Sequence, residues 1–559
     1  MTPTAQLERV TEVAQNQARR TSWALRIAIT ILAPLLLIGL VEAGLRVGGI
    51  GFPTDVTTSC TVRGKAANCY NLFFAAPFFP PGMIKTPQVY AIPAVKAPGT
   101  FRIFVLGESA AMGDPEPAYG FSRYLEVMLR ERYPNINFEI VNTGSVAINS
   151  HVTLPIAEGL AKFQPDLFII YSGNNEVVGP YGPGTALTSA GMSMPVIRAG
   201  IFYHSTRIGQ LLTQLGTQKK EWGGMAMFLD KQIPADSPLM KYAYANFEEN
   251  LRDTISVARK AGARVIVSTV ATNLKDCAPF ASLHRDDLTK DQLRSWSGLV
   301  QQAVEQENSG AYAGALQSYQ SAASIDDQYA ELEFRIARSL ELQGDMTGAR
   351  QHFARARDLD TLRFRADTKI NDINRKVASS MPGVELVDAD AIFSKESRDG
   401  ITGSDLVYEH VHLTPNGSYL LARSMFTQIA SKLPSASRPE DVPSEADCER
   451  WLAFTSHDHL RVVAEMSRRL QEPPFTNQLN HAEQVLRLAM QQDVPDENPN
   501  DTAAQYQWAI SRRPDDKILH RKFGLFLFPY ATDAAVEQLQ LSQPWDGFPV
   551  LTPDGRPIE

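Results

Sequence analysis

FVLGESAAMGDPEPAYGFSRYL, residues 104–125, opens with an apolar run that breaks at Gly107 and sets an acid and a hydroxyl, Glu108 and Ser109, among small side chains. An apolar run stopped by glycine reads as a buried strand entering a turn, and YLEVMLRERY just after it carries helical spacing. The run extends back to Phe101 as FRIFVLG (101–107), and four more follow: FEIVNTG (138–144), DLFIIYSG (166–173), ARVIVSTV (263–270) and VELVDAD (384–390). Helical patterns separate them, such as FEENLRDTISVARKAG before the fourth. Short, near-continuously apolar strands alternating with helices predict an α/β fold, a five-stranded parallel sheet flanked by helices.

The chain has 559 residues, 44% hydrophobic and 21% charged, with a formal net charge of −8. That length calls for more than one domain, and the mild charge without a basic tract excludes a nucleic-acid partner. Near the N-terminus, IAITILAPLLLIGLV (27–41) is free of charge. Arg9, Arg19, Arg20 and Arg26 precede it, whereas only Arg46 follows closely. The excess of arginine on the N-terminal side predicts a transmembrane anchor over 27–45, with residues 1–26 cytoplasmic and everything beyond exported to the periplasmic side. The alternative is a cleaved signal peptide, for which Val41-Glu42-Ala43 loosely resembles a cleavage site. Export suits disulfides, so Cys60, Cys69, Cys277 and Cys448 are candidates: Cys60 with Cys69, nine apart, and Cys277 with Cys448, tying distant regions. The alternative is four free buried thiols. No cysteine or histidine spacing fits a zinc site, and neither metal nor cofactor is expected.

A Pro-rich stretch over 46–98 reads as an extended connector. Between the fourth and fifth strands, Ala303, Gly310, Ala315, Tyr319, Ala322 and Ile325 recur 34 positions later as Ala337, Gly344, Ala349, Phe353, Ala356 and Leu359. This pattern resembles tetratricopeptide repeats, which implies paired helices over 291–365 and a surface for a protein partner. Two repeats bury little surface alone, so docking on the sheet domain or on further helices is expected. The sheet domain then spans 99–290 and 366–435. Residues 436–559 read as a helical C-terminal region, in which 503–528 looks like another degenerate repeat, ending in an extended tail from Ser542.

In a parallel sheet the functional groups collect beyond the C-terminal ends of the strands. Those loops supply Gly107-Glu108-Ser109, Asn142-Thr143-Gly144 and Gly173-Asn174-Asn175-Glu176. After the fifth strand comes DLVYEHVHLTPNGSYLLA (405–422), with Glu409 and His412 three apart before a helix that Thr414 and Pro415 can start. These four blocks, in this order, resemble the SGNH (GDSL-like) hydrolases. The resemblance covers roughly residues 99–435 without the insert, and implies a flavodoxin-like strand order and serine esterase activity. It places the nucleophile at Ser109 and the second-block glycine at Gly144. The third-block asparagine falls on Asn175, and the acid–histidine pair on Glu409 and His412. The chain departs from the family's pattern by carrying Glu108, Glu409 and Glu176 where aspartate is usual, keeping the charge and adding a methylene.

The resemblance implies that Ser109 attacks an acyl carbonyl, His412 is the general base, and Glu409 orients the imidazole. The oxyanion would be held by the N–H groups of Ser109 and Gly144 and the amide of Asn175. His410 rivals His412, and Asp405 rivals Glu409. His151 reads as structural, and Asp114 and Glu116 as loop charges. Three functions stay open: hydrolysis of an acyl ester, transfer of the acyl group to a cell-envelope glycan, and an inactive scaffold built on the repeats.

Overall fold

The five apolar runs become the strands of one parallel sheet: β1 Thr100–Gly107, β2 Asn137–Asn142, β3 Leu167–Tyr171, β4 Arg264–Ser268 and β5 Val384–Val387. They are seen in a computed structural model that describes residues 3–83, 88–188, 193–216, 221–433, 442–493 and 497–550. The order across the sheet is β2-β1-β3-β4-β5, every neighbouring pair parallel. In β1, β3 and β4 the residues Ile103–Leu106, Leu167–Ile170 and Val265–Val267 are all buried, as strands covered on both faces must be.

The covering helices fall into two groups. Phe121–Arg132 packs with Pro415–Ala430, while Met240–Lys260 packs with both Ser150–Leu160 and Thr368–Ser380. Gly107 marks where β1 leaves the sheet. A Cβ there would lie 2.1 Å from the Tyr171 carbonyl oxygen and 2.5 Å from the Ala111 Cβ. Gly107→Ala is therefore expected to destabilise the fold by about 2–4 kcal/mol through a clash with backbone that cannot move aside. A thermal melt of the detergent-solubilised chain checks this, and an unchanged Tm would contradict it.

The insert is two helical hairpins, Lys290–Asn308 with Tyr312–Ala323 and Ala330–Leu342 with Met346–Leu359. The recurring alanines and aromatics face inward, while Gly310 and Gly344 lie in exposed turns. Ala303, Ala315, Tyr319 and Ala322 form one buried cluster, and Ala337, Ala349, Phe353 and Ala356 form the next. The second cluster includes Leu274, Ala278 and Ile401 of the sheet domain, so the hairpins rest on that body.

The connector differs from its expected extended form. Thr57–Val62, Lys65–Tyr70 and Ala91–Pro93 make a three-stranded antiparallel sheet. Arg63 and Gly64 turn the first hairpin, both with positive φ (50° and 72°), the geometry that two-residue hairpin turns demand. Tyr70, Phe74, Phe78, Phe79, Met83 and Ile92 then join the main core. Enough aromatic surface lies in this stretch to outweigh its prolines.

A disulfide joins Cys60 and Cys69 across that hairpin. Cys277 and Cys448 do not pair: both are free and buried. Cys277 accepts a hydrogen bond from Gln478 Nε2 at 3.3 Å, whereas Cys448 sits on the helix Glu445–Leu452, which packs against Phe121–Arg132. Packing holds each thiol in its own surroundings.

The C-terminal helices fold back over the sheet domain. Arg123 pairs with Asp516 at 2.5 Å, Lys522 with Glu116 at 2.8 Å, and Tyr119 donates to the Ala453 carbonyl at 3.2 Å. Within 503–528 the helices Pro499–Arg512 and Lys517–Leu527 pack together. The expected tail returns to the small sheet, where Asp546 accepts from the N–H groups of Arg63 and Gly64 at 2.8 and 2.9 Å; beyond residue 550 it lies outside the described residues. At the other end of the chain, Pro3–Val47 is one helix, and its segment Arg26–Val47 is long and apolar enough to cross a membrane.

Candidate active site

Ser109 follows directly from the end of β1. It begins a one-turn helix, Ser109–Met112, where backbone N–H groups have no intrahelical acceptor. Its neighbour Glu108 points the other way, into the sheet edge. The Glu108 carboxylate accepts from Gly173 N–H at 3.0 Å, Asn174 N–H at 2.8 Å and Ser172 Oγ at 3.1 Å. The acid beside the serine thus ties the end of β1 to the loop after β3. Glu176, in that loop, accepts from the Ser150 N–H at 2.9 Å and hydroxyl at 2.7 Å. Burial raises both carboxyls above their ordinary range, and the Glu108 charge pushes Glu176 further.

The loop after β5 brings the imidazole across 303 positions of sequence. An isolated bridge between Val407 and Leu413 closes this loop, and Thr414 caps the helix that follows by accepting from Gly417 N–H at 3.1 Å. Glu409, almost fully buried, is gripped by the loop's own backbone: Oε2 accepts from the N–H groups of His410, Val411 at 2.9 Å and His412 at 3.3 Å. Its Oε1 meets His412 Nδ1 in a short contact, and His412 Nε2 lies 2.9 Å from Ser109 Oγ. That pattern demands the tautomer with the proton on Nδ1, leaving the Nε2 lone pair for the serine.

Burial works against charge on both partners, but each partner's field outweighs it. His410, His412 and their hydrogen bonds hold Glu409 well below the carboxylate range. Glu409 and Asp114 raise His412 above the ordinary histidine value. The rivals are placed differently, although His410 Nδ1 also lies 2.9 Å from Glu409 Oε2. Asp405 is exposed, and His410 is packed edge-on among Phe280, Phe364 and Phe475. Glu409, His410 and His412 present donor atoms within 4.8 Å of one another, but His412 and the loop amides already engage the Glu409 oxygens.

The oxyanion donors are only partly as expected. Asn175 is half-buried, its Nδ2 donating to the Ile148 carbonyl at 3.0 Å with a second N–H to spare. Gly144 differs, because its N–H donates to Asn142 Oδ1 at 2.9 Å. A glycine is needed there for close approach instead, since a Cβ would lie 2.5 Å from Met112 N. Sequence reasoning passed over Ala147, which stands in the same loop at a φ of 61°. Its N–H meets no acceptor among the described residues.

Asp114 was expected to be a mere loop charge, yet its Oδ2 lies 3.2 Å from His412 Nε2. Arg469, from the C-terminal helices, grips the same carboxylate, with Nη2 3.1 Å from Oδ1. No local signal could pair residues 355 positions apart. Glu116, by contrast, makes only the Lys522 ion pair and caps the turn after it. His151 is structural, bonded through Nδ1 to Asn250 Nδ2 at 3.0 Å, and burial lowers it to about 4.

The Asp114 contact makes a prediction about pH. A ring that serves as general base must be neutral, so any activity that uses His412 in that role should fall as pH drops through its raised pKa. Asp114→Asn removes one of the two raising charges, and the acid limb of the kcat/KM profile should move to lower pH. An unmoved limb would show that Asp114 does not act on the ring.

No protein-family model matches the chain, and no curated protein matches it. Solved structures do. The acetyl xylan esterase AlAXEase is similar at 11% identity and a TM-score of 0.28, over 59% of this chain and 100% of that one. LAE5, an α/β hydrolase enzyme from the metagenome of Lake Arreo, Spain, is similar at 12% identity and 0.27, over 58% and 93%. TesA is similar at 14% identity and 0.18, over 40% and 73%. Identities and TM-scores this low assign neither activity nor substrate, so the chemistry rests on the site's own geometry.

Proposed function

We propose that the chain is a membrane-anchored, exported serine esterase of the SGNH type that cleaves O-acyl esters. One observation carries this reading: the line from Ser109 Oγ to His412 Nε2, and from His412 Nδ1 to Glu409, at the C-terminal edge of a parallel sheet. Ser109 Oγ adds to the acyl carbonyl carbon while His412 Nε2 takes the hydroxyl proton. The tetrahedral oxyanion is met by the Ser109 N–H, the free Asn175 amide N–H and, in place of Gly144, the Ala147 N–H. Collapse breaks the bond to the alcohol oxygen, which leaves with the proton from Nε2. Water then attacks the acyl-serine while its proton goes to Nε2, and the second intermediate collapses by breaking the bond to Ser109 Oγ, which takes that proton back as the carboxylic acid departs. Export is supported by the apolar helix Arg26–Val47 and by the Cys60–Cys69 disulfide, which needs an oxidising compartment.

The test is a fluorophosphonate probe on the detergent-solubilised chain, followed by a series of p-nitrophenyl esters of increasing acyl length. One adduct per chain, mapped to Ser109, and turnover that peaks at one acyl length are expected. No adduct and no turnover would overturn the reading and leave the scaffold alternative. Repeating the assay with an oligosaccharide acceptor separates free acid from transferred acyl group.

A further inference from the structure

The helical hairpin Met194–Ser205 and Arg207–Gly216 turns two side chains of its first helix inward and several apolar ones outward. Met194 and Ile197 are buried, and Arg198 ties the hairpin to the helix Met240–Lys260 through Asp253 at 2.6 Å and Glu249 at 3.3 Å. On the opposite side Val196, Phe202 (71% exposed), Tyr203, Leu212 and Leu215 (77% exposed) are left uncovered among the described residues. Val196 and Tyr203, seven apart, lie on one line of the first helix, Phe202 flanks them on the same outward side, and on the second helix Leu212 and Leu215 are three apart. A soluble surface rarely tolerates such a concentration of large apolar side chains.

The position of this face says what covers it. Glu42, near the outer end of the apolar helix, accepts from the N–H groups of Arg207 at 3.0 Å and Ile208 at 3.1 Å, capping the second hairpin helix. Just beyond the apolar helix, Gln210 is bonded to the Phe52 N–H and carbonyl at 2.9 and 3.0 Å. The hairpin is therefore fastened to the outer end of the segment that would cross the bilayer. An apolar hairpin face held at that end, with a tyrosine on it, has the composition of helices that lie in the membrane interface.

We propose that the outward face of Met194–Gly216 lies in the outer interface of the lipid bilayer, giving the protein a second membrane contact beside its anchor helix. The proposal rests on the anchor reading and is independent of the esterase reading. By this contact the sheet domain would sit at a fixed orientation on the membrane surface.

The test uses the full chain in phosphatidylcholine–phosphatidylglycerol vesicles, with single thiols introduced by Phe202→Cys, Leu215→Cys, Leu36→Cys or Leu486→Cys. Native thiols do not interfere, since Cys60 and Cys69 are bonded and Cys277 and Cys448 are buried. Each thiol carries an environment-sensitive fluorophore, and doxyl-labelled phosphatidylcholine is the quencher. Quenching at 202 and 215 several-fold above that at 486 is expected, with 36 in the anchor helix quenched most deeply. If 36 is quenched while 202 and 215 behave like 486, the hairpin contact is wrong and the anchor stands. If 36 is not quenched either, the anchor fails and the contact with it. Energy transfer between labelled copies at 202, without lipid quenching, would overturn the proposal in favour of a second copy of the chain.

Discussion

Ser109→Ala is expected to lower ester turnover by a factor on the order of 10⁴ or more, leaving the fold intact. The alanine keeps the backbone and nearly the volume of a buried serine, and among the described residues the hydroxyl it removes bonds only to His412. What is lost is the one atom placed to form the covalent bond. The imidazole and the amide donors remain, and their residual contribution over water limits how far activity can fall. The assay is p-nitrophenyl acetate hydrolysis by the solubilised chain, with a thermal melt as control. Equal turnover at an equal Tm would remove the serine mechanism.

Glu409→Gln is expected to cost about 10⁴ in kcat for a different reason. The Oε2 of Glu409 accepts backbone N–H groups of its own loop, so a glutamine must keep its single carbonyl oxygen there. The NH₂ group then faces His412 Nδ1 as a donor, and the ring can meet it only by moving its proton to Nε2. That tautomer presents an N–H to Ser109 where a lone pair is needed. KM should change little, because no substrate contact is lost, and Glu409→Asp should recover part of the activity. A glutamine variant with wild-type kcat would show that the carboxylate only braces the loop.

The two residues come from separate blocks, Ser109 after β1 and Glu409 three before His412 in the later loop, and each block carries its own local signal. The acid-x-x-His spacing is local, and so is the strand–turn signal that placed Ser109. The five strands are likewise found where the apolar runs lie, within a few residues at their ends. The 34-residue recurrence carried its own packing, since the repeated alanines and aromatics are buried between helices while Gly310 and Gly344 make the exposed turns. The connector's small sheet was also legible in principle: an Arg-Gly pair between TTSCTV and KAANCY is a hairpin signal, obscured by the prolines around it.

Other features depend on elements meeting at a distance. The grip of Arg469 on Asp114, the separate burial of Cys277 and Cys448, and the docking of Glu42 on the hairpin have no counterpart in local spacing. The engagement of Gly144 by Asn142 is local, yet it turns on a backbone conformation that residue types alone do not specify.

The amino-acid order by itself determined the strands, the 34-residue recurrence, the apolar N-terminal segment and the spacings that single out Ser109, Glu409 and His412. Those follow from periodicities and spacings of a few residues, which act within one element. Only the tertiary structure decided which amides stay open, which charge reaches the histidine and which apolar face is left bare. Each of those depends on what surfaces remain after whole elements have packed, and no single segment carries that information.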